Sequence, residues 1–117
     1  MSEKSNDWNQ LLVDKIVFLT GGAGHIAKSI AKICHKQGAR LVLADLDLTL
    51  TTKVKDEIIS NEDQFNDRIL VVKLDVTDET SIQQAIQTTI DKWKTIHILL
   101  NTFVSFFFFV EKKRTIE

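Results

Sequence analysis

The sequence predicts an α/β domain built on a doubly wound parallel sheet. Three observations carry this. Short apolar runs of strand length alternate with longer stretches of helical periodicity, in the order βαβαβαβ. The segments joining them are short, so each parallel strand pair must be bridged by a right-handed crossover through a helix. A glycine cluster, Gly21-Gly22-Ala23-Gly24, stands directly between the first strand-like run and the first helical stretch.

Composition sets the outer bounds. With 117 residues, 44% hydrophobic and 26% charged, the chain has the size and balance of one globular domain. A net charge of −1 gives no electrostatic case for nucleic acid or an acidic membrane as partner. The single cysteine, Cys34, excludes an intramolecular disulfide and fits a reducing, cytoplasmic setting. Residues 1–14 form a polar lead-in without the apolar core of an export signal, and Trp8 within it is expected to cover a core edge.

The elements follow in order. Residues 16–19 form the first strand. The first helix is expected over residues 25–37, with Ile26, Ile30, Ile33 and Cys34 recurring at helical spacing as its inward stripe. Gly38 ends it as a C-terminal cap. Cys34 then reads as core filler, and His35 as a solvated helix residue. Residues 40–44 form the second strand and residues 49–60 the second helix, with Leu50, Val54 and Ile58 on one face. Residues 61–67 read as a polar loop. Residues 69–74 are a near-continuous apolar run suited to a parallel strand. Thr77 or Asp78 can cap a third helix running to Trp93, with Ile82, Ala85, Ile86 and Ile90 inward. Residues 96–100 form a fourth strand ending at Asn101.

The glycine cluster carries the chemistry. Gly22-x-Gly24-x-x-Ala27 fits the turn of a dinucleotide-binding, Rossmann-like unit. One position must tolerate a sharp strand-to-helix turn. The next must lack a side chain so that backbone N–H groups can approach a pyrophosphate, and the last must be small for the helix to pack on the strand. The helix N-terminus then offers donors and partial positive charge to phosphates. Asp45 follows Gly24 by 21 residues, where the same motif places an acid on the adenosine ribose; the plainer alternative is a surface carboxylate. A 2′-phosphate at about 4 Å from that charge would be repelled by roughly 4 kcal/mol per unit charge in a surface-like dielectric. Residues 46–49 carry no Arg or Lys to offset it, which favours NAD over NADP.

These residues resemble the short-chain dehydrogenase/reductase family over residues 15–101. Thr20-Gly21-Gly22-Ala23-Gly24-His25-Ile26-Ala27 is similar to its nucleotide-binding turn, with Ala27 in place of the last glycine and His25 where glycine or an apolar residue is usual. The resemblance implies that Gly21, Gly22, Gly24, His25, Ile26 and Ala27 hold the pyrophosphate and that Asp45 holds the ribose. It places Asp75-Val76 beside the adenine ring and Asn101 at the head of the family's Asn-Asn-Ala-Gly segment. The implied reaction moves a hydride between nicotinamide and a carbonyl/alcohol pair. Some sugar- and flagellin-modification members carry a similar turn, which implies a sugar-related substrate.

The likeness stops at Asn101, where Thr102-Phe103-Val104 replaces Asn-Ala-Gly and residues 102–117 form a Phe-rich, charged tail. The family's catalytic Ser and Tyr-x-x-x-Lys pair lie beyond this point, and the chain contains no tyrosine, so no catalytic residue and no metal ligand is assigned. The chain thus reads as a sheet truncated after its fourth strand, inactive by itself, with a tail that has left the ancestral frame at four successive Phe codons. Two other readings stay open: a non-catalytic nucleotide-binding module, and a fragment that pairs with itself or another chain through its exposed edge. The 15 residues 96–110 are too short and too interrupted, by His97, Asn101 and Ser105, for a membrane span.

Overall fold

A computed structural model describes residues 11–60 and 62–102. Strand β1 (Ile16–Thr20) leads through the glycine turn into helix α1 (His25–Lys36). Strand β2 (Arg40–Asp45), helix α2 (Leu48–Ile59) and a 3-10 turn (Asp63–Arg68) follow. Strand β3 (Ile69–Lys73), helix α3 (Glu79–Trp93) and strand β4 (Ile98–Asn101) complete the order. The strands form one sheet in the order β3-β2-β1-β4, every pair parallel. This is the doubly wound, Rossmann-like architecture that the alternation predicts. Trp8, the first ten residues of the lead-in and the Phe-rich run lie outside the described residues.

The pleat divides the core in two. On β1 and β2, Val17, Leu19, Leu41 and Leu43 face the layer of α1 and α2, where they meet Cys34, Val54 and Ile58. Ile16, Phe18, Val42 and Ala44 face the opposite layer, where they meet Val72, Leu74 and Ala85. Both faces of the central strands are therefore apolar and buried, as a covered parallel sheet requires.

The helix faces depart from the sequence expectation. On α1 the inward stripe is Ala27, Ala31 and Cys34, while Ile26 and Ile33 are 59% and 64% exposed and Ile30 is partly buried. Small residues let the helix lie close to the strands, and that approach turns the larger isoleucines outward. On α2 the buried set is Thr51, Val54, Ile58 and Ile59, with Leu50 exposed. On α3 it is Ala85 and Thr89, with Ile82 partly buried and Ile86 exposed. Thr51 and Thr89 enter the core because each hydroxyl donates to the carbonyl four residues back, Asp47 and Ala85 respectively.

The helix ends follow local chemistry. The Asp47 carboxylate accepts from the Leu50 N–H at 3.0 Å, and the Asp78 carboxylate accepts from the Thr80 N–H at 3.0 Å. Gly38 follows α1 with φ +91°, and a Cβ there would sit 3.1 Å from Val13. Cys34 is buried in the core, and burial pushes its thiol pKa up. His35 is not the solvated residue expected. It is half-buried, its ring meets Phe65 edge-on at 4.9 Å, and its Nδ1 is buried with no hydrogen-bond partner among the described residues. The predicted loop before β3 supplies Phe65 because it coils into the 3-10 turn.

Candidate functional site

Thr20, Asp45 and Asn101 end β1, β2 and β4, and Asp75-Val76 lie just past β3. All therefore stand at the carboxyl edge of the sheet. From β1 the chain proceeds outward to β2 and β3, then returns to the other side of β1 as β4. The order thus reverses between β1 and β4, and the crevice outside such a reversal is where open α/β sheets take ligands.

The turn after β1 is held through three backbone N–H groups. The Gly22 N–H donates to the Ala44 carbonyl at 3.0 Å, the Ala23 N–H to Asp45 Oδ2 at 3.1 Å, and the Gly24 N–H to the Gly21 carbonyl at 3.0 Å. The structure reassigns the glycine roles. The left-handed residue is Gly21, with φ +69°, rather than Gly22. Gly22 is the close-packing residue, since a Cβ there would lie 3.0 Å from Ala44 N and from Leu43. A Cβ on Gly24 would meet only the Gly21 carbonyl oxygen, at 3.4 Å, so its open side faces away from the protein. Ala27 is fully buried and keeps the small-residue role.

Helix α1 differs from its neighbours at its start. Its N-cap is Gly24, and no side chain accepts from its first turn, whereas Asp47 and Asp78 cap the other two helices. His25 and Ile26 stand exposed on that first turn, which contains no acidic residue. The N–H groups and the positive end of the helix dipole therefore face outward beside open Gly24, an arrangement suited to an anionic ligand.

Asp45 is half-buried and links the turn to the next connection, because its Oδ1 also accepts from the Asp47 N–H at 3.0 Å. A carboxylate offers about four acceptor positions, so two such bonds leave capacity for a diol. At β4, Thr20 donates its hydroxyl to Asn101 Oδ1 at 2.9 Å. Val76 and Asn101 line an apolar groove of about 230 Å³ with Phe18, Leu74 and Ile82. Asp75 makes its bonds within its own connection. Its Oδ1 accepts from both the N–H and the hydroxyl of Thr77, at 3.0 and 2.6 Å, and its N–H donates to Ser81 Oγ. Those Thr77 bonds, aided by Lys73, hold its carboxyl below the usual range.

The structure thus brings the turn into contact with Asp45, and Thr20 into contact with Asn101, while Asp75 organises its own β3–α3 connection. Two contributors escape the sequence motif: Ser81, which accepts from the Asp75 N–H, and Thr102, whose hydroxyl donates to the Thr20 carbonyl. Thr20 heads the turn, but its bond to Asn101 carries no sequence signal. Thr102 carries no signal, since it breaks the family pattern. The residues present fit a dinucleotide by three features: the uncapped α1, the open face of Gly24, and a carboxylate at the end of β2.

Comparison with known proteins agrees with this geometry. The short chain dehydrogenase family model matches residues 15–103. The chain is 30% identical over 91 residues to 3-hydroxyacyl-CoA dehydrogenase type-2 of Drosophila melanogaster, covering 78% of this chain and 33% of that protein. It therefore spans about a third of the length of this curated relative. Among solved structures, it superposes on a 3-ketoacyl-(acyl-carrier-protein) reductase from Brucella melitensis complexed with NADH. There the TM-score is 0.65 at 26% identity, covering 74% of this chain and 33% of the other. It also superposes on the N-domain of a bacterial malonyl-CoA reductase with NADP, at TM-score 0.70 and 28% identity, covering 74% of this chain and 16% of the other.

Proposed function

The chain belongs to the short-chain dehydrogenase family, and from that premise we propose that it supplies the dinucleotide-binding half of an oxidoreductase, with NAD preferred to NADP. The observation that carries the proposal is the Ala23–Asp45 bond, which joins the glycine turn to an acid at the end of β2. In this reading the α1 N–H groups beside Gly24 bind the pyrophosphate, Asp45 accepts from the ribose hydroxyls, and Val76 flanks the adenine. When bound, the nicotinamide would carry the hydride. The chain itself contributes binding and orientation, and it has no tyrosine to move the accompanying proton. Turnover by these 117 residues alone is not expected. A sugar-related substrate rests on the likeness of the turn, and a cytoplasmic setting on the unpaired Cys34. Among the described residues, no helix is long and apolar enough to cross a membrane.

The test is NADH fluorescence titration of the purified chain and of Gly24→Val. The protein itself leaves room for a side chain at position 24, whose backbone is already extended. Loss of NADH binding in a variant with unchanged thermal stability would locate the pyrophosphate at the turn. Equal affinity in both proteins would remove the site from it.

A second reading, self-association, is favoured by β4. Among the described residues its outer edge has no strand partner, and Leu99 and Ile86 beside the groove are 59% and 42% exposed. Sedimentation over a concentration series tests it. A constant monomer mass would end this reading.

A further inference from the structure

Thr102 stands where the family pattern is already broken, yet it is tied into the site. Its N–H donates to Thr20 Oγ1 at 3.3 Å, and its own hydroxyl donates to the Thr20 carbonyl. A Cβ built on Gly21 would lie 2.7 Å from Thr102 Oγ1 and 2.9 Å from the Thr102 carbonyl oxygen, so residue 102 rests directly on the Cα of the left-handed glycine. Thr20 in turn donates to Asn101 Oδ1. The end of β4 and the end of β1 are therefore joined by side-chain hydroxyls just beyond the last paired residues, Thr20 and Asn101.

We propose that Thr102 is a positioning residue of the glycine turn: its hydroxyl anchors the Thr20 carbonyl and packs on Gly21. It thereby fixes the conformation from which Gly22, Ala23 and Gly24 are presented. That the turn serves a dinucleotide rests on the function proposed above. The positioning itself is measured without any cofactor.

The experiment is residue-resolved amide hydrogen exchange on the full chain, comparing wild type, Thr102→Val and Thr102→Ser. The amides of Gly22 and Ala23 are hydrogen-bonded to the end of β2 and that of Gly24 to the Gly21 carbonyl, so all three report opening of the turn. Removing the hydroxyl forfeits about 1 kcal/mol, so their exchange accelerates about fivefold in Thr102→Val. Val17 and Leu41, deep in the sheet, keep wild-type rates, and Thr102→Ser restores the turn. Unchanged exchange at all three turn amides would overturn the proposal. So would an equal acceleration of turn and sheet amides, which marks a general loss of stability. NADH titration of the same proteins separates the two ideas. A looser turn with no NADH binding in any variant, wild type included, upholds the positioning role and removes the dinucleotide reading.

Discussion

The Ala23 N–H donates to Asp45 Oδ2 at 3.1 Å, across the gap between the first two strands' carboxyl ends. A carboxylate thus holds the tip of the turn that leads into the uncapped start of α1. The same carboxylate braces the entry to α2 through Asp47 N–H. One side chain therefore couples the turn's shape to the place where a ribose would lie.

Asp45→Ala is expected to weaken NADH binding by about tenfold to a hundredfold, the effect of losing a hydrogen bond to a charged group, about 1.5–3 kcal/mol. Removing the negative charge also relieves repulsion of a 2′-phosphate, so NADPH loses less affinity than NADH. Parallel titrations with both cofactors check this. An NADH affinity unaltered by the substitution would place the ribose elsewhere.

Gly22→Ala is expected to destabilise the fold by about 1–3 kcal/mol, because the new methyl group presses on the backbone of β2. Gly24→Ala, meeting only an ordinary contact at 3.4 Å, is expected to stay within about 0.5 kcal/mol of wild type. Urea denaturation of the pair distinguishes the glycine that packs from the glycine that leaves space for a ligand.

Burial lowers the His35 pKa, the Arg68 charge lowers it further, and Glu62 acts in the opposite sense. The folded chain therefore holds this proton less tightly than the unfolded chain, whose imidazole titrates near about 6.5. The resulting stability is fully present above that value and is lost as pH falls through the lowered folded value. The wild-type urea midpoint should fall from pH 7.5 to pH 5, and His35→Gln should fall less. Identical pH profiles would show that this histidine does not drive the change.

The order of elements, the parallel sheet, the cap at Gly38 and the burial of Cys34 were all legible in the sequence. Each depends on a periodicity or a residue type read over a few neighbours. The turn was legible as a motif because glycine spacing is itself a statement about backbone shape. Which glycine does what was not legible. Gly21 is left-handed, and Gly22 is squeezed because β2 runs alongside it.

The helix faces show the same division. Periodicity alone favoured Ile26 and Ile33 on α1, since larger apolar side chains gain more from burial. Packing reversed that choice, because a helix pressed close to a sheet accepts Ala27 and Ala31 and turns its bulk outward. By itself the sequence determined the α/β alternation, the glycine turn and the acid that follows it. Tertiary structure alone decided that Asp45 reaches back to Ala23, that Thr102 rests on Gly21 and that His35 packs edge-on against Phe65. Those contacts join residues 22, 81 and 30 positions apart, and only the parallel register of the strands and the packing of the helices brings them within reach.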